Sequence, residues 1–225
     1  MIVGAVADVH GNFEALHRAM ARHADIPYWL CVGDLASRSG AYPTPPAPLY
    51  WIKGHNEDFD RIAAWEAGEP EPANLHFIRN GTSTQVGPLS VAGLGGTFAP
   101  TWYDTPAAAL PHTPRDDKRR HFVREEAESC SRLGAIDILM THEAARPFIV
   151  ADEPPAGRGR RRDAGKPAIN GVLAALQPRL HLCGHHHRFV ESEREGVASV
   201  CIDRINRSYL LIDARTCAYH LVSNE

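Results

Sequence analysis

No apolar stretch in this chain approaches the ~20 residues that span a bilayer, so no membrane segment or membrane partner is expected. Cysteine is sparse: Cys31, Cys130, Cys183, Cys201 and Cys217 are odd in number, widely spaced and form no Cys-x-x-Cys. Cys31, Cys183 and Cys201 lie in apolar, strand-like runs and read as buried reduced thiols, from which a cytoplasmic location follows. Excess charge is also lacking. A formal net charge of −3 gives no global argument for nucleic acid or an anionic membrane, so any attraction to phosphate has to be local. A basic leader is missing too: residues 1–7 run straight into Asp8-Val9-His10 and read as a strand, not a signal peptide. There is no internal repeat and no linker long enough to split the chain, so residues 1–225 are expected to form a single domain with a full core.

What the chain does contain is an alternation of elements. Residues 1–7 have the continuous apolar pattern of a strand buried on both faces. Asn12 is a plausible N-cap for a helix carrying Phe13, Leu16 and Met20 on its apolar side. Residues 29–32 form a second expected strand ending at Gly33-Asp34, and residues 50–53 a third ending at Gly54-His55. Between them, Pro43, Pro45, Pro46 and Pro48 mark a loop. This order predicts βαβ units, an α/β fold and a largely parallel inner sheet. Residues 85–91 look like a hairpin, 116–133 like a helix, 136–140 like a strand ending at Thr141-His142, 168–176 like a helix, and 181–183 like a strand ending at Gly184-His185. The tail from residue 199 to 221 reads as antiparallel strands.

Five strand ends therefore carry Asp8-Val9-His10, Gly33-Asp34, Gly54-His55-Asn56-Glu57, Thr141-His142 and Gly184-His185-His186-His187. Together they point to one shared centre for two metal ions. In an extended segment Asp8 and His10 would point the same way and chelate one ion, and His185 and His187 would repeat that geometry. Asp34 follows a glycine that lets the backbone turn, so its carboxylate could bridge two cations, while His142 and His55 supply further imidazoles. Mixed oxygen and nitrogen donors suit Mn, Fe, Zn or Ni better than an all-oxygen Mg or Ca site. Two ions ~3.5–4 Å apart acidify a water and hold the oxygens of a phosphate ester for in-line attack.

In this order the blocks resemble the calcineurin-like metallophosphoesterases, whose pattern is Asp-x-His, Gly-Asp, Gly-Asn-His-Asp/Glu, a lone His and Gly-His-x-His. The resemblance implies a four-layer αββα sandwich of two mixed β-sheets, with a dinuclear centre of two divalent ions, manganese first among the candidates. It implies that Asp8, His10 and His187 hold one metal, that Asp34 bridges, and that His142 and His185 hold the other. The third block departs from the pattern, since His55 precedes Asn56. His55 then reads as a ligand of the second metal and Asn56 takes the catalytic histidine's place, where an amide cannot donate a proton as an imidazolium can. A local shift would instead leave His55 as the acid. The implied activity is phosphate-ester hydrolysis with a slight lean to phosphodiesters. The glycine-rich segment and Arg120-His121-Phe122 carry a faint likeness to the RNA-lariat debranching branch, so nucleotides or nucleic acid are candidate substrates.

Two basic runs could contact phosphate: Arg115, Lys118, Arg119 and Arg120 with His121 beside them, and Arg158, Arg160, Arg161, Arg162 and Lys166. A solvated face is the ordinary outcome for such runs. Trp102 and Tyr103 read equally as a stacking surface or as core. His186 is expected either to face away from the metals or to line the cleft. The rival functions are a nuclease working through the same centre and a non-catalytic scaffold on the same fold. Lost ligands would mark the scaffold, whereas here Asp8, His10, Asp34, His142, His185 and His187 are all present.

Overall fold

The apolar runs become strands in a computed structural model, which describes residues 1–113, 116–149 and 163–224. In chain order the elements begin β1 (Ile2–Val6), α1 (Phe13–Arg22), β2 (Trp29–Cys31), β3 (Leu49–Trp51), α2 (Phe59–Glu66), β4 (Leu75–Phe77), β5 (Thr82–Val86), β6 (Leu89–Leu94) and β7 (Thr97–Phe98). They continue with β8 (His112–Thr113), β9 (Asp116–Asp117), β10 (His121–Phe122), α3 (Arg124–Ser131), β11 (Ile138–Thr141), α4 (Pro167–Leu176), β12 (Leu180–Cys183), β13 (Val190–Arg194), β14 (Val197–Cys201), β15 (Ser208–Asp213) and β16 (Tyr219–Ser223).

Two six-stranded mixed sheets stack on one another, with strand orders β16-β15-β1-β2-β3-β4 and β13-β14-β12-β11-β6-β5. The first sheet is parallel from β1 to its β4 edge and antiparallel through β15 and β16, and the second is parallel at its centre and antiparallel at both margins. Val3, Ala5 and Leu30 of the first sheet pack against Ile138, Met140 and Leu182 of the second. On the outer face of the first sheet, Leu16 and Met20 of α1 and Ile62 and Trp65 of α2 cover Trp29 and Trp51. On the outer face of the second, α3 and α4 bury Ala127, Cys130, Val172 and Leu173 against Leu94 and Leu139. The layers are thus helix, sheet, sheet, helix, as the resemblance implied. All five cysteines are free and buried.

Local chemistry explains the elements. The Asn12 side chain accepts the Ala15 N–H at 3.2 Å, starting α1 where expected. Gly87-Pro88 turns the β5–β6 hairpin. The helix expected over 116–133 is confined to Arg124–Ser131. Upstream, Asp117 caps a short 3₁₀ turn and Phe122 pairs in parallel with Phe98, so burial against the second sheet overrides the helical pattern. The tail also differs from expectation, because β14 lies parallel to β12 in the second sheet while β15 and β16 run antiparallel in the first. Among the described residues no helix is long and apolar enough to cross a membrane.

Candidate metal centre

The carboxyl ends of five parallel strands meet at one edge of the sandwich, the place where such sheets bind ligands. β1 leads to Asp8 and His10, β2 to Asp34, β3 to His55, β11 to His142, and β12 to His185 and His187. The side chains do not converge from extended strands, as their two-residue spacing suggested. Asp8, His10, Asp34, His185 and His187 all have left-handed backbone, with φ of 49°, 47°, 54°, 68° and 52°. Such a conformation costs a non-glycine residue roughly 1–3 kcal/mol and persists only where its surroundings dictate it. Here neighbouring loops dictate it: Asp8 N–H donates to Gly33 O (3.1 Å), His10 N–H to Asp34 O (2.7 Å) and Gly184 N–H to His142 O (3.1 Å). The His185 N–H donates to Asp8 Oδ2 at 2.8 Å. Curled loops, tied to one another, aim the donors inward.

Two donor clusters result. In the first, His10 Nε2 lies 3.0 Å from His187 Nε2, and Asp8 Oδ1 lies 3.3 Å from His187 Nε2 and 3.7 Å from His10 Nε2. In the second, His55 Nδ1 is 3.0 Å from His142 Nε2, and the His185 ring sits 4.7 Å from that of His55 and 5.0 Å from that of His142 between centroids. Asp34 lies between them. Its Oδ2 is 3.1 Å from His55 Nδ1 and 3.6 Å from His10 Nε2, so one carboxylate oxygen addresses both clusters.

These groups fit divalent cations. Donors each ~2.1 Å from one ion lie about 3.0–3.5 Å apart, the spacing seen here. Asp8 Oδ1 and His185 Nδ1 are buried without a hydrogen-bond partner, a costly state that a cation relieves. The protonation states of His185, His10 and Asp34 also favour ligation, because metals bind neutral imidazole and ionised carboxylate. Burial, then the His142 and His55 rings, depresses the His185 pKa to about 3, and burial lowers that of His10. Burial opposes ionisation of Asp34, but the imidazoles of His142 and His55 and the adjacent amides outweigh it and hold the carboxyl well below its usual range. His142 Nδ1 bonds Val32 O at 2.9 Å, which leaves Nε2 for the cluster.

A supporting layer surrounds the donors, and of its members Glu57, Glu143 and His181 were given no role by sequence reasoning. Glu57 is the key member: its Oε1 accepts from Leu35 N (3.0 Å) and Gly54 N (3.1 Å), and its Oε2 from Ala36 N (3.1 Å). One carboxylate thus staples the Asp34 loop to the His55 loop, although burial and then the Asp34 charge raise its pKa to about 7. Its position at the end of the third block was the available signal. Asn56 donates through Nδ2 to Asp34 Oδ2 (2.9 Å) and lies 3.0 Å from His55 Nε2. Glu143 accepts from Phe98 N and Lys166 Nζ and lies 3.8 Å from His185 Nε2. Behind His142, buried His181 joins Thr141 Oγ1 (2.8 Å) to Ser199 Oγ (2.7 Å).

A cleft of about 800 Å³ opens beside the first cluster and is lined by Asp8, His10, His187, Asn56, Arg38 and Arg204. Of the predicted phosphate contacts, Arg119, Arg120 and His121 do not line this cleft. Arg119 is paired with Asp117 (2.5 Å) and Asp60 (2.6 Å), and Arg120 with Asp116 (2.6 Å), around a neighbouring pocket of about 440 Å³. Their charges are met within the protein, which spacing in sequence could not show. His121 bonds Thr97 Oγ1 at 2.9 Å through Nδ1. Arg115, Arg158, Arg160, Arg161 and Arg162 lie outside the described residues. His186 stacks on Phe148, with centroids 4.3 Å apart. Tyr103 packs on Phe98 and Phe122, and Trp102 carries Lys118 over its ring.

A family model described as calcineurin-like phosphoesterase matches residues 1–189. A lariat debranching enzyme of Schizosaccharomyces pombe is 23% identical over 193 residues, covering 80% of this chain and 42% of that protein. The chain thus spans about two fifths of the length of that curated relative. Among solved structures, TT1561 of Thermus thermophilus superposes with a TM-score of 0.64 at 14% identity, covering 100% of this chain and 99% of the other. GAP50, the anchor in the inner membrane complex of Plasmodium, superposes with a TM-score of 0.56 at 12% identity, covering 100% of this chain and 85% of the other. These two likenesses concern the fold alone.

Proposed function

Since the chain belongs to the calcineurin-like phosphoesterase family, we propose that it hydrolyses phosphodiesters with two divalent metal ions, manganese foremost, held by the clusters described above. The observation that carries this reading is Asp34 Oδ2, one oxygen within 3.6 Å of a donor in each cluster. Asp8, His10 and His187 would hold one ion, His55, His142 and His185 the other, and Asp34 would bridge. When bound, such ions supply an acidified water as nucleophile and neutralise charge on the phosphoryl oxygens.

The remaining chemistry belongs to the chain. His55 Nδ1 lies among the donors of the second cluster, which supports reading it as a ligand in preference to a general acid. Asn56 lines the cleft in the family's catalytic-histidine place; it can orient Asp34 and a substrate oxygen but cannot protonate a leaving group. That lack, the open cleft and the likeness to a lariat debranching enzyme favour diesters, with nucleotides or nucleic acid as the substrate class. The five free, buried thiols support a cytoplasmic setting.

The test is hydrolysis of bis-p-nitrophenyl phosphate and p-nitrophenyl phosphate by chelator-stripped protein reloaded with Mn, Ni, Zn or Mg, beside Asp34→Asn. Metal-dependent turnover that favours the diester and is lost in the variant supports the reading. Preference for the monoester with every metal refutes the diester assignment, and no turnover with bound ions favours the scaffold. For nuclease action, binding to single-stranded RNA or DNA should weaken with salt, and a flat response argues against it.

A further inference from the structure

The arginines around the centre differ in what they face. Arg119, Arg120 and Arg207 each pair with a carboxylate: Asp117 and Asp60, Asp116, and Asp203. Arg204 is exposed on the wall of the 800 Å³ cleft and pairs with no carboxylate among the described residues. The acid next to it is already engaged, since Asp203 accepts the Arg204 N–H (2.7 Å) and lies 3.4 Å from Arg207.

The backbone of Arg204 is nonetheless firmly placed. An isolated parallel bridge joins it to Ala7, the residue before Asp8, and the Ile205 N–H donates to Ala7 O at 3.1 Å. A turn closed by Arg207 N–H on Arg204 O (2.9 Å) sets Asn206 on the same wall. A fixed root therefore carries an uncommitted, bidentate cation beside the first donor cluster. Guanidinium in a cleft is the preferred partner of phosphate. The scissile phosphate alone leaves much of the cleft unfilled, because cavities of ~300–1,000 Å³ accommodate whole drug-sized ligands.

We propose that Arg204, with Asn206 beside it, forms a subsite for a second phosphate on the substrate. The chain then selects phosphodiesters whose retained nucleoside carries a terminal phosphate over those whose nucleoside is uncharged at that end. This rests on the phosphodiester reading and deepens it.

The test is calorimetric binding of thymidine 3′-phosphate and thymidine 3′,5′-bisphosphate to Mn-loaded wild type, Arg204→Gln and Arg204→Lys. A charge-assisted contact predicts that wild type binds the bisphosphate about tenfold more tightly. Arg204→Gln should abolish that ratio and Arg204→Lys should keep part of it, since ammonium retains the charge and loses the fork. An equal ratio in wild type and Arg204→Gln overturns the subsite. Turnover of p-nitrophenyl esters of the same two nucleotides is measured on the same samples. If neither ester is cleaved by wild type while the binding ratio depends on Arg204, the diesterase reading fails and the subsite stands.

Discussion

Replacing Glu57 by glutamine tests how the two halves of the centre are held together. The substitution keeps shape and volume but removes one acceptor face and the charge that the carboxylate carries above its pKa of about 7, so the comparison is made at pH 8. Glu57 now receives three backbone N–H groups, from Leu35, Ala36 and Gly54, at 3.0–3.1 Å. A glutamine amide presents N–H groups on one side, so at least one of these donors is left facing another donor. A hydrogen bond to a charged group contributes about 1.5–3 kcal/mol, and a buried donor left unpaired adds its own penalty of about 1–3 kcal/mol. The expected loss is therefore roughly 2.5–6 kcal/mol, felt where the Asp34 loop meets the His55 loop. Outer partners of ligands typically alter metal affinity by about 10–100-fold, and Glu57→Gln is expected to fall in that range. The assay is Mn binding to stripped protein by calorimetry, with urea unfolding alongside. Glu57→Asp, too short to reach both loops, should also weaken binding. Wild-type metal affinity in Glu57→Gln, with unfolding unchanged, would refute the staple.

Three further outcomes follow from the same geometry. A β-carbon at Gly54 would lie 2.0 Å from Asp34 Oδ1 and 2.3 Å from Asp34 N, so Gly54→Ala should displace the bridging carboxylate and lose bound metal and activity; a full metal complement by elemental analysis would contradict this. Burial lowers the His181 pKa from 6.5 to about 3. The folded state thus takes up that proton later than the unfolded chain, so stability is complete above about pH 6.5 and falls as the pH drops toward 3, by up to about 1.4 kcal/mol per pH unit. The fall should be smaller in His181→Gln, and an unchanged denaturant midpoint between pH 7 and 4.5 in wild type would sink the assignment. With Asn56 in place of an imidazole acid, hydrolysis of aryl phosphodiesters should slow steeply as the leaving phenol's pKa rises; a flat series would reveal a proton donor.

The layer order, and which acidic and imidazole side chains gather at one edge of the sandwich, were readable from sequence because both depend on local patterns. Continuous apolar runs mark buried parallel strands, and each run ends in a glycine or polar block. How the ligands converge was not readable: positive φ at Asp8, His10, Asp34, His185 and His187 is imposed by hydrogen bonds between distant loops. The same holds for Glu57, whose role exists only because residues 35 and 54 meet in space. The pairing within the first basic run was hidden too, since Asp60 is far from Arg119 in sequence and meets its charge in the fold. Arg204 stands in no basic run and was overlooked, yet it lines the cleft. Short elements such as α2, β4 and β13 carry too little periodic signal to be seen before the core that holds them.

We propose, above all, that these loops build one centre for two ions bridged by Asp34. Titrating chelator-stripped protein with Mn while counting bound equivalents tests it most directly, with Asp34→Asn in parallel. Two equivalents are expected in the wild type, with a loss at both clusters in the variant. A single equivalent, or two that survive the loss of the Asp34 carboxylate, would contradict it.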